Sequence, residues 1–215
     1  SSVTVEEGTV DATFKVNQFV STGFVTIVAA SGGTSKSSTL AVQDAILYGM
    51  LLVEIHYVFK GSDAKKQWVK LYNGTGTEVV LSQFGIGYGG TDYTYGVYQP
   101  LGSIPAGMCA LVGGPASNPD NGNPLYDLPK DFDPDIQNSG DTADGIALFD
   151  MPAELITKES VPIDAVVYGG QNKSALLGVD GIPVAAPDVG DVSGGKSIKR
   201  ISYHEWGAEE FPNST

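Results

Sequence analysis

The chain has little that would support catalysis, redox chemistry or membrane insertion. It carries one cysteine, Cys109, in 215 residues, so no internal disulfide can form. Cys109 lies in the apolar run Met108-Cys109-Ala110-Leu111-Val112 and reads as a buried, inert core thiol rather than a nucleophile. Only two histidines, His56 and His204, could serve as a base, and no G-x-S-x-G elbow places a serine beside either. Two histidines plus an acid could in principle bind zinc, but H-E-x-x-H and C-x-x-C spacings are absent. No enzyme is expected. Positive charge is also scarce: 12 Lys and Arg against 25 Asp and Glu, a net of −13. A field of that sign repels phosphate backbones and argues against nucleic-acid binding. It suits a soluble surface protein, or one that holds hard cations through its oxygens. Apolar runs are too short to span a bilayer, so no membrane insertion is expected. No basic, apolar leader precedes Ser1, which reads as the start of a processed or truncated form.

What the chain has is turns and short alternating runs. Its 28 glycines and 12 prolines are scattered throughout. Between them lie stretches such as Asp11-Ala-Thr-Phe-Lys-Val16, Gly23-Phe-Val-Thr-Ile-Val28, Lys66-Gln-Trp-Val-Lys-Leu-Tyr72 and Asp164-Ala-Val-Val-Tyr168. Alternation with period two over four to eight residues, bounded by Gly, Pro, Asn and Asp, signals antiparallel strands. No long, capped segment of helical period occurs. The expected fold is all-β.

Residues 1–43 read as four strands, Ser2–Val5, Asp11–Gln18, Gly23–Ala30 and Lys36–Val42, with Ser31-Gly32-Gly33-Thr34 as a hairpin link. From Val3 to Val42 the pattern resembles the last four strands of bacterial immunoglobulin-like repeats, without the front half of such a domain. About 40 residues bury too little apolar surface to fold alone. They are therefore expected to pack on the rest of the chain, on an upstream part or on a neighbouring molecule.

After Asp44 the pattern changes. Leu51-Leu-Val-Glu54-Ile-His56-Tyr57 is followed by Gly61-Ser62-Asp63, a strand centred on Trp68, Tyr72-Asn73-Gly74-Thr75 and Val79-Val80-Leu81-Ser82. Then come Ile104-Pro105-Ala106-Gly107, Asn138-Ser139-Gly140-Asp141 and Ser197-Ile198-Lys199-Arg200. That succession, from about Leu51 to Phe211, resembles the bacterial lamin-tail domain. The resemblance implies an immunoglobulin-like β-sandwich over 44–215, a binding or scaffolding role, an extracellular or cell-surface location, and no catalysis. Gln67 and Lys70 stand where the family usually carries acids, and Gly113–Ile136 looks like an insertion.

Several motifs bear on function. Gly85-Ile-Gly87-Tyr-Gly-Gly90 matches G-x-G-x-x-G, but the strand-like Thr91–Tyr95 follows it where a phosphate-binding helix would be needed. It reads as a glycine-rich loop and not a nucleotide site. From Asn118 to Asp150 there are eight aspartates and one lysine. Short oxygen-bearing side chains on loops suit calcium, with Asp131, Asp133 and Asp135 the first candidate ligands and Asp120 the next. The alternative is that these residues build turns through their own backbone hydrogen bonds. Tyr93 and Tyr95 alternate, so they would share one strand face, either stacking on a glycan or partner protein or pairing across the sheet. Asn73, Asn172 and Asn213 each open an N-x-S/T sequon.

Two functional readings follow. The first is a structural protein that self-assembles into a filament or surface layer, its incomplete N-terminal strands completed by a neighbour. Val3, Val5, Phe14 and Val16 are then expected at the interface, with Tyr93 and Tyr95. The second is an accessory binding or adhesion domain of a larger secreted protein, meeting a surface protein or glycan, with calcium as a possible requirement.

Overall fold

The computed structural model describes residues 23–31, 34–42, 49–117, 119–138, 140–202 and 205–210. The chain divides into two units, Ser1–Ile46 and Leu47–Thr215. In the first, β1 (Gly23–Ser31) and β2 (Thr34–Val42) form an antiparallel hairpin that closes with Ser31 opposite Thr34. The strands expected over Ser2–Val5 and Asp11–Gln18, and with them Val3, Val5, Phe14 and Val16, lie outside the described residues.

The second unit is all-β. Its strands are β3 (Met50–Val58), β4 (Trp68–Asn73), β5 (Val79–Val80), β6 (Gly85–Gly89), β7 (Gly96–Tyr98), β8 (Ser103–Ile104) and β9 (Cys109–Gly113). They continue with β10 (Leu128–Pro129), β11 (Ala143–Phe149), β12 (Asp164–Gly169), β13 (Lys196–Ser202) and β14 (Glu205–Glu210). One sheet runs β10-β9-β4-β3-β13-β14 and the other β12-β11-β6-β7; β5 and β8 pair separately. All pairings are antiparallel except β10 with β9.

The two sheets form a sandwich around one shared core. The inward residues of β3, β4, β9 and β13 (Leu52 and, past a bulge, Ile55 and Tyr57; Val69, Leu71, Val112 and Ile198) meet Ile86, Tyr88, Ile146, Leu148, Val166 and Tyr168 from the other sheet. Period two places these side chains on one face. The opposite face of the four-stranded sheet is covered as well: Ala147, Phe149 and Val167 pack under Tyr93, Ala153, Ile156 and Leu176 from loops. This explains why all seven residues of β11 are buried. A strand covered on both faces reads as continuous apolar sequence rather than alternation.

Two local expectations are corrected. Gly85–Gly89 is a fully buried strand, not a loop. Its glycines have no side chains because loops lie directly on them: a Cβ at Gly87 would collide with the Tyr93 carbonyl, and one at Gly85 with the Ala153 backbone. Thr91–Tyr95, in turn, is a turn rather than a strand, held by Asp92 Oδ1 accepting from Thr94 N at 2.7 Å and Oγ1 at 2.6 Å.

The expected insertion covers the outer face of the six-stranded sheet at one end. Gly114 N donates to Gln67 O and Ala116 N to Lys65 O, while Trp68 Nε1 donates to Asn121 O at 3.2 Å. Gln67 stands where the resemblance implied an acid, and its carboxamide does what a carboxylate cannot. It donates to Tyr57 O and Ile136 O while accepting from Ile136 N at 2.6 Å. Lys70 pairs with buried Glu54 at 2.5 Å, and Glu54 also accepts from Ser197 Oγ at 2.8 Å.

Candidate binding groove

Strand β12 is an edge of its sheet, and an uncovered edge exposes a row of backbone donors and acceptors. The long connection from β12 to β13 covers it. Asp188 N donates to Val167 O, Asp188 Oδ2 accepts from Val167 N, and Gly169 N donates to Val189 O. Before that return leg the connection folds into a small hairpin. Val184 N donates to Leu176 O, Gly178 N to Ile182 O and Gly181 N to Gly178 O. Gly181 takes the left-handed conformation the turn needs, with φ +73°. Asn172 closes the base of the hairpin, donating to Leu176 O and Val184 O and accepting from Leu176 N.

Between this hairpin and the ends of β12, β13 and β14 lies a groove of about 470 Å³. Its wall carries Val179 and Ile182, 56% and 62% exposed. Its floor is an ion pair at the edge of the sandwich. Arg200 Nη2 lies 2.6 and 2.7 Å from the two oxygens of Asp164, and both side chains are less than a tenth exposed. Each partner is also tied to β3: Arg200 Nε donates to Leu52 O at 2.8 Å, and Asp164 Oδ2 accepts from Leu52 N at 2.7 Å. The guanidinium sits 4.6 Å from the Trp206 ring centroid, a cation–π contact. The pair thus latches β12 of one sheet to β3, β13 and β14 of the other. Burial pushes the Asp164 carboxyl above its ordinary value, against the pull of Arg200. Asp180 and Asp188 complete the acidic lining. Asp180 Oδ1 accepts from Ile182 N, and burial likewise pushes the Asp188 carboxyl up.

The residues singled out from sequence fall elsewhere. Asp131 is half-buried and Asp133 and Asp135 are exposed, on either side of a bend at Asp133-Pro134 whose inward residues are buried Phe132 and Ile136. Asp131 Oδ1 accepts from Lys65 N at 3.0 Å, a loop-fixing role. Burial and the like charges of Asp63, Asp131 and Asp133 push the Asp135 carboxyl up. Among the described residues no three His, Cys, Asp or Glu side chains are grouped to hold a metal ion. Asp120 lies in the short 3₁₀ turn Pro119–Asn121, and its side chain is outside what is described.

Tyr93 and Tyr95 do not share a face, contrary to expectation. Tyr93 is buried, packing edge-on against Phe149 and donating to Leu177 O at 2.8 Å, whereas Tyr95 is 52% exposed. The turn at Thr91–Tyr95 rotates successive side chains out of the register a strand would impose. Cys109 is exposed, not buried, because β9 turns Ala110 and Val112 inward and Cys109 outward. Partial desolvation against the sheet nonetheless raises its thiol above the ordinary value. His56 is wholly buried, with ring centroids 4.1 Å from Phe59 and 5.5 Å from Trp68. Desolvation lowers its pKa to about 4, against the backbone of Val58 and Asn121, so it is neutral near pH 7. His204 lies outside the described residues.

The Asn73 sequon is structural: this fully buried side chain donates to Thr77 O and Ile104 O and accepts from Thr75 N and Oγ1. Asn172 is equally committed to the groove hairpin, and Asn213 lies outside the described residues. Of the groove, Arg200 had a signal through Ser197-Ile198-Lys199-Arg200, and Asp164 and Ala165 through the strand run Asp164–Tyr168, but neither signal pointed to a site. Asp164 is separated from Arg200 by 36 positions, and nothing in either local sequence joins them.

The fold defines a class, an all-β sandwich whose described groove is formed by one edge of the sandwich and the hairpin beside it. No protein-family model, curated protein or solved structure matches the chain. No helix among the described residues is long and apolar enough to cross a membrane.

Proposed function

We propose that this chain is a non-catalytic extracellular binding module, an immunoglobulin-like sandwich of the lamin-tail type, that engages a partner through the groove beside β12. The observation that carries the reading is the exposure of Val179 and Ile182 on a hairpin tip above a locked Arg200–Asp164 floor. Exposed aliphatic side chains gathered at a concave site mark binding surfaces. Asn172 and the hairpin's own backbone bonds hold the tip in place, so little ordering entropy is lost on binding. The order of motifs from Leu51 to Arg200 supports the family assignment, and the family implies scaffolding and extracellular placement. The test is to probe arrays of immobilised extracellular proteins and glycans with the labelled chain and with its Val179→Asp/Ile182→Asp variant. Partners retained by the wild type and lost by the variant are expected. Equal retention by both would refute the groove as the binding surface.

A second reading concerns the first unit, where the described strands are a two-stranded hairpin. The sequence of this unit reads as half of an immunoglobulin-like domain, and completion of it by a neighbouring copy would give a filament or surface layer. Light scattering and negative-stain microscopy of chain 1–215 beside a 47–215 truncation, with and without calcium, test this. Polymers that vanish on truncation support it; monomers throughout sink it.

A further inference from the structure

We infer that the groove takes a basic segment of a partner protein, an extended stretch in which a lysine or arginine lies beside a leucine- or isoleucine-like side chain. This deepens the binding reading above and rests on it. Two properties of the groove select that occupant. The first is charge. Among the described residues that line the groove, Asp164, Asp180 and Asp188 stand against one cation, Arg200, and that guanidinium already faces Asp164. Asp180 and Asp188 accept from the backbone N–H groups of Ile182 and Val167; Arg200 also attracts Asp188, so three carboxylates share one guanidinium and two negative charges are left for an incoming cation. The net charge of −13 adds long-range attraction for the same sign of partner. The second is the apolar wall. Val179 and Ile182 offer aliphatic surface that a free ammonium ion or polyamine would leave uncovered. A lysine stem and a neighbouring aliphatic side chain would bury it.

Other occupants fit less well. Acidic segments and phosphorylated ligands meet repulsion. A stacked sugar needs an open aromatic face, and Trp206 is 7% exposed with Arg200 over its ring. A second copy of the chain carries the same net charge of −13 and meets long-range repulsion.

The experiment uses the full chain and two rhodamine-labelled probes, Gly-Leu-Lys-Leu-Arg-Leu-Gly and Gly-Leu-Glu-Leu-Glu-Leu-Gly, read by fluorescence anisotropy at ~0.15 M salt. The variants are Ile182→Ser, at an exposed tip where folding is spared, and Asp180→Asn/Asp188→Asn, whose amide oxygens still accept the two backbone bonds. Supporting results are saturable binding of the basic probe, a loss of about tenfold or more in each variant, and no binding of the glutamate probe. Equal binding of both probes that is lost in Ile182→Ser overturns the basic partner while leaving the binding module standing. Equal binding of the basic probe by wild type and variants reduces the effect to diffuse attraction and overturns the proposal. So does no binding up to ~1 mM. Self-association without probe, lost in Ile182→Ser, makes the occupant a second copy and overturns it too.

Discussion

The latch between Arg200 and Asp164 makes the sharpest energetic prediction. Replacing Asp164 by alanine leaves a guanidinium in a site less than a tenth exposed and strips Leu52 N of its acceptor. Breaking a buried pair from one side costs about 3–5 kcal/mol, because the remaining charge stays desolvated without its partner. An orphaned backbone N–H costs roughly 1–3 kcal/mol, but the two losses share one site and do not add fully. About 4 kcal/mol is the expected total, a large part of the ~5–15 kcal/mol typical of a domain. Urea unfolding followed by tryptophan fluorescence is the assay. Trp68 and Trp206, the two tryptophans, both belong to the second unit, so the signal reports that unit alone. The midpoint should fall while the denaturant slope stays unchanged. The Asp164→Leu/Arg200→Met double variant should recover most of the loss, since apolar replacement of both partners removes the uncompensated charge. A loss below ~1 kcal/mol, or a coupling energy near zero, would show the pair to be screened like a surface ion pair and refute the latch.

Three further predictions follow from single residues. The pKa of His56 falls from 6.5 to about 4 on folding, so the unfolded chain binds the proton more readily. Its stabilising contribution is therefore present above pH 6.5 and is lost as pH drops towards 4, by ~3 kcal/mol in total; His56→Phe should flatten this part of a stability–pH profile measured by urea unfolding. Ala175 has φ +62°, a left-handed conformation costing a Cβ-bearing residue roughly 1 kcal/mol, so Ala175→Gly should raise the thermal midpoint despite the added freedom of the unfolded chain. Gly87→Ala should cost ~2 kcal/mol or more through overpacking against Tyr93 and Phe149, read as a lower urea midpoint with weakened near-ultraviolet dichroism from the tyrosines.

Much of the fold was legible locally. Period-two runs bounded by turn residues marked the β1–β2 hairpin, β4 and β12, because a pleated strand must send alternate side chains to opposite faces. Two misreadings came from local pattern without knowledge of cover. Gly85–Gly89 looked like a loop because glycines signal turns, yet here their missing side chains make room for loops lying on a buried strand. Tyr93 and Tyr95 looked like one face because alternation was taken to mean a strand, and the Asp92–Thr94 turn breaks that geometry.

The sequence by itself determined the all-β class, the spacing of the strands and the acidity of the molecule, since these follow from backbone periodicity, turn chemistry and formal charge. Tertiary structure alone decided which polar groups became special. Asp164 met Arg200 across 36 positions, Leu52 met Asp164 across 112, and Val179 and Ile182 came to rim the groove above them. Those choices depend on how two sheets pack and how one long connection folds back over an edge. Burial and proximity arise only when distant segments meet, and no short stretch of sequence contains that information.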